Sequence, residues 1–211
     1  MWQLPKIVTD SDRLQKRQII LDAAAAEIAR YGYDRANINI IAERAGIGRG
    51  TIYLYFTSKD EVLTALLDTI GAMIDKIIRN CLTSDQAWPQ RIQDLARAFA
   101  QMAIEHNDFF RVHISALHGV NRDIGQPVAH WLRTSVDRLT DALEQAIHEG
   151  EIQSYDPQTL AWMLLGMFES LALLPSVLNL SDSHTKERAD TLASLIWQGV
   201  ALPKSEQECL A

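Results

Sequence analysis

The sequence predicts an all-α protein, and three observations carry this prediction. Residue types that favour helix, chiefly Ala, Leu, Ile, Gln, Glu and Arg, dominate the 211-residue chain. Apolar residues recur at helical spacing along the chain, and no segment shows a sustained strand-type alternation. Only six prolines and ten glycines interrupt this pattern, so we expect about nine helices.

The composition favours a soluble globular protein, with 47% hydrophobic and 22% charged residues. Its two cysteines, Cys81 and Cys209, are far apart and unsuited to a disulfide framework, which favours a reducing cytoplasm. The start, "MWQLPKIVTD", has no apolar core of a secretory signal. The most apolar stretch, "LAWMLLGMFESLALLPSVLNL", is interrupted by Glu169 and Pro175, which disfavours a membrane helix.

The expected helices cover about residues 12–31, 38–45, 49–56, 59–81, 89–106, 107–118, 122–149, 157–174 and 185–201. Gly32 is suited to end the first helix and Asn37 to cap the second. The third follows a glycine-rich turn. At the fourth, "SKDE" predicts a capping box, in which the Ser58 hydroxyl bonds the amide of Glu61 and the Glu61 carboxylate reaches back. One face of the first helix carries Ile20, Ala24, Ile28 and Tyr31.

Turn-forming residues delimit the later helices. Pro89 suits a first helical turn, and Pro127 either kinks the seventh helix or marks its true start. Gly150 is placed to end that helix. Asp156-Pro157 combines a cap with a first-turn proline for the eighth helix, and Pro203 stops the ninth.

The segment "AERAGIGRGTIYLYFTSKDE", residues 42–61, predicts a helix-turn-helix. Two short helices are joined by "GIG", and the small side chain of Ala42 lets them approach closely. Gly46 can adopt the left-handed conformation that ends the first of them. The side chains expected to pack inward are Ile41, Ile47, Ile52 and Phe56.

In such a unit the second helix enters the major groove of DNA, and its leading residues approach base edges. Arg49 can bond guanine or a phosphate, and Gly50 lets the backbone come close to the duplex. Thr51 can meet a base or a thymine methyl. Tyr53 and Tyr55 have hydroxyls that reach phosphates, although either ring could instead be an ordinary half-buried aromatic.

Three further residues complete the predicted DNA-binding set. Leu54 lies near the outward face of the second helix. Lys59 can meet a flanking phosphate, the alternative being a solvated first-turn lysine. Asn37, at a helix N-terminus, can hold another phosphate. The glycines superficially resemble a nucleotide-binding loop, but that loop requires a preceding strand, whereas "IAERA" is helical.

Charge is unevenly distributed. Residues 1–60 contain nine Lys/Arg and seven Asp/Glu, a balance of +2, whereas the remaining residues contain eleven and twenty, a balance of −9. A polyanion is therefore expected to meet the N-terminal part.

Residues from about 17 to 65, a quarter of the chain, resemble the DNA-binding domain of the tetracycline-repressor (TetR) family of bacterial regulators. The "IAERAG" turn, the "GTIYLYF" recognition helix and the "SKDEVL" helix start carry the resemblance, in that order. The family usually has Thr or Ser in place of Asn37, commonly Ser or Thr in place of Gly48, and frequently His in place of Tyr55. Gly48 thus gives up a side-chain cap and phosphate ligand. Later residues resemble the family only in length and helical character.

The resemblance implies a helix-turn-helix DNA-binding domain over residues 1–57 and a ligand-binding and dimerisation domain over residues 58–211. The last two helices would pair with those of a second copy in a four-helix bundle. The alternative is that their apolar stripes form the core of a monomer. The expected interface residues are Leu160, Leu164, Leu171, Leu192, Leu195, Ile196 and Gly199.

The resemblance also implies a cavity for a small-molecule effector in the C-terminal domain. Candidate lining residues are Phe110, His113, Leu117, Trp131, Trp162 and Met167, although core packing is the favoured role for any one of them. Glu169 lies within an apolar helix and needs a partner. It could face a basic ligand, or pair across the dimer with an Arg or His.

The function implied is a ligand-responsive transcriptional regulator, by family habit a repressor. As a dimer it would bind a palindromic double-stranded DNA operator, until an effector moves the fourth helix like a lever and releases it. We expect no enzymatic activity, no cofactor, no metal and no membrane partner. His106 and His113 would lie about 10 Å apart along one helix, too far for joint metal ligation. The alternative function is an all-helical small-molecule-binding protein without specific DNA activity.

Overall fold

The computed structural model describes residues 9–118, 125–178 and 183–201, and it confirms the all-α fold. The described residues form nine helices. They are α1 Asp10–Tyr31, α2 Ile38–Arg44, α3 Arg49–Ile52, α4 Lys59–Leu82, α5 Trp88–Glu105, α6 Asn107–His118, α7 Gly125–His148, α8 Pro157–Leu178 and α9 Ser183–Val200. In this part of the chain the β-type pairing is limited to one isolated bridge, between Ile152 and Ala201.

Local side chains set most helix boundaries. α1 begins two residues before the predicted start, because the Thr9 hydroxyl accepts from the amide of Asp12 and the Asp12 carboxylate accepts from the amide of Thr9. At α8, the Asp156 carboxylate accepts from the amide of Thr159 at 2.7 Å, as the Asp-Pro pair predicted. A hydrogen bond from the Thr159 side chain, followed by this backbone hydrogen bond, lowers the pKa of Asp156.

Glycines end two of the long helices. Gly32 follows α1 with φ 79° and Gly150 follows α7 with φ 73°. A side chain is strained at such positive φ, so glycine is favoured at both positions. Both predicted stops are therefore confirmed.

Two predicted helix ends were wrong. α3 is regular only to Ile52, because the amides of Leu54 and Tyr55 bond carbonyls three residues back, which tightens the chain into turns before Phe56. α8 continues past Pro175 to Leu178. A proline in the last turn removes only one backbone hydrogen bond, and the helix tolerates that loss. The expected start of α7 at residue 122 lies outside the described residues, and the described helix starts at Gly125.

The chain divides into two compact units, Met1–Leu67 and Asp68–Ala211, and the division falls inside α4. Ile20, Ala24 and Ile28 of α1 are buried in the core of the first unit, as predicted. α1 packs against α2, and α2 packs against α3. Tyr31, expected on the same face, is instead 46% exposed at the end of α1.

The second unit is built around α5, which packs against α8 and α9, while α7 packs along α8. The rings of Phe99 in α5 and Phe168 in α8 stack with their centroids 5.4 Å apart. Asp75 of α4 accepts from Arg138 of α7 at 2.9 Å and also pairs with Arg79. These contacts tie α4 residues of this unit to α7.

α8 is apolar on most of its circumference. One side, including Leu164 and Phe168, is buried, whereas Trp162 and Met163 are 59% and 58% exposed. By length and composition alone, its first 18 residues, Pro157–Leu174, could cross a membrane. A core helix of a soluble protein meets the same criterion, and α8 packs here against α5 and α7.

Candidate DNA-binding surface and effector site

The turn between α2 and α3 is a Schellman motif. The amide of Ile47 donates to the carbonyl of Ala42 and the amide of Gly46 to that of Glu43, both at 3.0 Å. Gly46 has φ 66°, which confirms its predicted left-handed conformation. Before α2, the Asn37 side chain accepts from the amide of Asn39 at 2.9 Å, which confirms its role as the N-cap.

α3 is held from one side and exposed on the other. Ile52 and Phe56 are buried, and the Arg17 guanidinium lies 5.2 Å from the centre of the Phe56 ring. Residues Arg49 and Gly50 are exposed at the start of the helix. Gly48 is the N-cap of α3, and it forms no capping hydrogen bond because glycine has no side chain.

The residues after the first turn of α3 extend this surface. Tyr53 is 45% exposed and Leu54 is 72% exposed, whereas Thr51 and Tyr55 are half-buried. A leucine so exposed beside two tyrosines gives the surface an apolar component. The residues predicted to face DNA are thus brought together, and their contacts with DNA remain a prediction.

Sequence reasoning missed two arginines of α1. Arg13 and Arg17 line a groove of about 390 Å³ together with Leu54 and Tyr55. Both guanidinium groups belong to the basic run "DRLQKRQ" near the helix start. This basic run could have indicated further DNA contacts. Its proximity to Leu54 and Tyr55, about 40 residues later in the chain, could not be predicted from local sequence patterns.

Lys59 has other partners than the predicted phosphate. Its ammonium group donates to the carbonyls of Tyr33, Asp34 and Ala36, at 2.8, 3.3 and 3.3 Å. It also lies 4.4 Å from the centre of the Tyr33 ring. An ammonium group has three N–H donors, so the turn between α1 and α2 occupies all of them.

The Tyr33 hydroxyl reinforces this connection, because it donates to the carboxylate of Asp60 in the first turn of α4. Burial, followed by the hydrogen bond to Asp60, raises the pKa of Tyr33. We call Tyr33, Lys59 and Asp60, with the carbonyls they engage, the α1–α4 clasp. It holds the start of α4 on the helix-turn-helix.

The capping box at α4 is confirmed in one half. The amide of Glu61 donates to the Ser58 hydroxyl at 3.1 Å. The Glu61 carboxylate, however, reaches one residue further back, to the amide and hydroxyl of Thr57. These hydrogen bonds lower the pKa of Glu61.

Four of the predicted effector-site residues lie together in the second unit. Phe110 and His113 of α6 and Trp131 of α7 are buried. The His113 ring lies 5.6 Å from the Phe110 ring and 4.9 Å from the Trp131 ring, between centroids. His113 Nε2 is 3.5 Å from Glu169 Oε1, so Glu169 contacts a histidine of its own chain, whereas the sequence predicted a basic ligand or a residue across the dimer.

Of the other three predicted effector residues, two lie outside this buried group and the third has a side chain that the structure does not describe. Met167 is half-buried on the side of α8 that faces α9. Trp162 does not join the buried group, because α8 turns its ring outward, with 59% of it exposed. Leu117 falls among residues whose side chains lie outside the described part of the structure. Ligand contact by any of the seven remains a prediction.

An apolar surface extends along α8 and α9. One groove between them has a volume of about 610 Å³, and an adjoining one measures about 550 Å³. All seven predicted interface residues line these grooves. Six of them line the 610 Å³ groove: the buried Leu160, Leu164 and Ile196, the half-buried Leu192, and the exposed Leu195 and Gly199. The buried Leu171 lines the 550 Å³ groove, which Leu192 also borders. Further large apolar side chains are exposed on α8, namely Trp162, which was predicted as an effector contact, and Met163, Leu174 and Leu178.

A metal centre is not visible in the described residues, where no three or more His, Cys, Asp or Glu side chains are grouped suitably to hold an ion.

Comparisons with known proteins agree with the two-part architecture. Residues 20–66 match the family of bacterial regulatory proteins called tetR, and residues 85–173 match a tetracyclin repressor-like C-terminal domain. The fatty acid metabolism regulator protein of Bacillus subtilis is 28% identical over 152 residues, which are 71% of this chain and 78% of that protein.

Solved structures share the fold. The fatty acid degradation regulator FadR of Bacillus halodurans superposes with a TM-score of 0.75 at 26% identity, covering 86% of this chain and 94% of its own. FadR of Bacillus subtilis, solved in complex with stearoyl-CoA, gives 0.72 at 22% identity, covering 85% and 96%.

Proposed function

Because the chain belongs to the TetR family of bacterial transcriptional regulators, we propose that two copies of it bind a palindromic operator as a repressor. The family makes it a DNA-binding regulator that responds to a ligand. We further propose that an effector releases the dimer from the operator. The protein is proposed to act in the cytoplasm, as a regulator rather than an enzyme.

The exposed face of α3 is the observation that carries the proposal. Arg49, Gly50 and Tyr53 are exposed there, while Ile52 and Phe56 anchor the same short helix in the core. A rigidly held helix with polar residues at its N-terminal end is what major-groove recognition requires.

Each exposed group has a specific role in this proposal. Arg49 bonds guanine O6 and N7, and Gly50 allows close approach of the backbone. Thr51 meets a neighbouring base, and Tyr53, Tyr55 and Asn37 contact phosphates. The guanidinium groups of Arg13 and Arg17 add phosphate contacts on the side where they border Leu54 and Tyr55.

The apolar α8–α9 surface supports the dimer. Monomeric soluble proteins rarely expose large contiguous apolar patches, and four large apolar side chains of α8 are more than half exposed here. A second copy would cover them by two-fold pairing of α8 and α9. Two recognition helices would then read two half-sites, as the limited reach of one short helix requires.

The buried group around His113 supports effector binding in the second unit. A fold relative was solved with stearoyl-CoA, so this fold can accept a molecule with a long apolar part. The effector of this chain is proposed to be a small molecule with an apolar body. Its binding would alter α4 and lower operator affinity, since effector and operator must favour different states.

Selection of random duplex DNA by the purified protein, at fixed near-physiological salt and followed by sequencing, tests the proposal. We expect one palindromic sequence to be enriched. Weak, strongly salt-dependent binding without an enriched sequence would contradict it and would favour a small-molecule-binding protein that touches only phosphates.

A further inference from the structure

Four polar side chains of α6, α7 and α8 carry buried atoms that form no hydrogen bond among the described residues, although His113 Nε2 and Glu169 Oε1 lie 3.5 Å apart. The exposed fractions of His113, Ser135 and Trp131 are only 0%, 1% and 7%. Both ring nitrogens of His113, Trp131 Nε1, Ser135 Oγ and Glu169 Oε1 are buried and unpaired among the described residues. We call these four residues the polar cluster.

The polar cluster differs from isolated unpaired atoms elsewhere. Native proteins pair the great majority of buried polar groups, and an exception calls for an explanation such as a ligand. Trp88 of α5 also has a buried indole nitrogen without a hydrogen-bond partner among the described residues. Here α6, α7 and α8 each direct unpaired groups toward one region, with His113 3.5 Å from Glu169 and its ring 4.9 Å from that of Trp131.

The indole of Trp131 is fixed in place by α4. A methyl group at Gly71 would lie 2.8–3.0 Å from three atoms of Trp131, so the indole rests directly on the helix backbone. Ser135 follows Trp131 by one helical turn on the same side of α7. The donors of the cluster are thus held before any ligand arrives.

A groove borders the cluster at Glu169. It lies between α7 and α8 and has a volume of about 530 Å³. Its lining is mixed, with Leu132, Val136, Trp162 and Leu165 on the apolar side and Arg133, Asp137, Gln158 and Glu169 on the polar side. This volume lies within the range of small-molecule sites, roughly 300–1,000 Å³. Glu169 borders the groove while its Oε1 is buried against His113, so it connects the two.

The chemistry of the cluster selects the polar group of its ligand. The Trp131 indole only donates, a carboxylate such as Glu169 accepts, and imidazole and hydroxyl groups such as those of His113 and Ser135 can do both. A carboxylate or phosphate ligand has no donor to offer Glu169, and an ammonium ligand has no acceptor to offer the Trp131 N–H. An uncharged group that both donates and accepts satisfies both residues.

We propose that the polar cluster binds the effector through a neutral hydroxyl or carboxamide group, with the apolar body of the effector in the α7–α8 groove. This inference rests on the proposed function, since it identifies the effector's chemical class. Acyl carboxylates and alkylammonium ions are excluded by it.

Titration calorimetry of the full-length protein with four matched probes tests the inference: 4-butylphenol, butylbenzene, 4-butylbenzoate and 4-butylbenzylammonium. We expect 4-butylphenol to bind with a dissociation constant below about 1 mM, and about tenfold more tightly than each of the others. Trp131→Phe and Glu169→Gln should each remove most of this preference. Trp88→Phe, which removes another buried, unpaired indole N–H, should keep it.

The outcomes separate the inference from the proposed function. Absence of phenol binding, equal affinity for all four probes, or an unchanged preference in Trp131→Phe would overturn the inference. Circular dichroism melting confirms that each variant folds. Operator binding, measured in parallel, reports on the proposed function alone, since it can persist when the phenol fails to bind or fail when the phenol binds.

Discussion

At the scale of the residue, Gly50 offers a direct test of how closely α3 approaches DNA. Beyond its chain neighbours and its own helix backbone, a methyl group at this position would have no atom of the described residues within 4 Å. Gly50→Ala should therefore not lower the free energy of unfolding, and should raise it by up to about 1 kcal/mol because alanine favours helix. If the backbone closely approaches the duplex, operator affinity should fall at least about tenfold in an anisotropy titration.

Gly46→Ala is the matched control for that substitution. A methyl group at Gly46 would also meet open space, but the φ of 66° at this position strains any side chain. Thermal unfolding should show a loss of about 1–2 kcal/mol for Gly46→Ala and no loss for Gly50→Ala. A Gly50→Ala variant with normal stability and normal operator affinity would contradict a close approach of the α3 backbone to the DNA.

Lys59 allows two roles to be separated by salt dependence. Because its three donors are directed to the carbonyls of the α1–α4 clasp, we expect Lys59→Met to weaken operator binding by misplacing α3. The slope of log affinity against log salt should stay unchanged. Arg13→Met removes an exposed cation beside Tyr55 and should reduce that slope by about one.

Tyr33→Phe provides the second measurement on the clasp. It removes the hydroxyl that donates to Asp60 but keeps the ring that lies next to the Lys59 ammonium group. A loss of operator affinity without a change of salt slope is expected again. A slope lowered by about one in Lys59→Met would instead identify Lys59 as a phosphate ligand, as its position in the sequence first indicated.

At the scale of the element, the α8–α9 surface determines the oligomeric state. Met163 and Leu195 are 58% and 62% exposed along the 610 Å³ groove between α8 and α9. Met163→Glu and Leu195→Glu each introduce a negative charge there. Burying an unpaired carboxylate in an apolar interface is costly, so either variant should dissociate the dimer at least about tenfold more readily. Sedimentation velocity measures this directly.

Ile19→Glu is the control for the dimer prediction. Ile19 is a 42% exposed aliphatic residue of α1, and its substitution introduces the same charge in a different unit. Its sedimentation should match that of the unchanged protein. If all three variants remained dimeric, the interface would lie on another surface.

The sequence could predict an element boundary where the interactions that form it involve residues close together in the chain. Asn37, Gly46 and Asp156 act on backbone atoms within a few residues, so their caps and turn were recognisable from spacing alone. The early end of α3 was not, because its last turns are shaped by the anchoring of Phe56 in the core.

The same distinction holds for the candidate sites. Outward residues of α3 were predictable, since Ile52 and Phe56 define the inward face of one short helix. The partners of Lys59 are carbonyls 23 to 26 residues earlier in the chain, which no local pattern encodes. The exposure of Trp162 could not be predicted, because α8 is apolar on both sides and periodicity cannot distinguish its core face from its exposed face.

At the scale of the whole molecule, the proposed response to an effector requires the N-terminal DNA-binding surface, the buried polar cluster and the apolar face for a second copy. The effector and the operator are proposed to stabilise different states of one dimer.

Binding of the dimer to a duplex with one intact and one scrambled half-site tests the central claim most directly. The duplex comes from the selected palindrome, and anisotropy at fixed salt gives affinity while sedimentation gives stoichiometry. We predict two chains on the intact palindrome, and affinity near the non-specific level, roughly 10³-fold weaker or more, on the scrambled duplex. One chain bound with undiminished affinity to a single half-site would contradict the account.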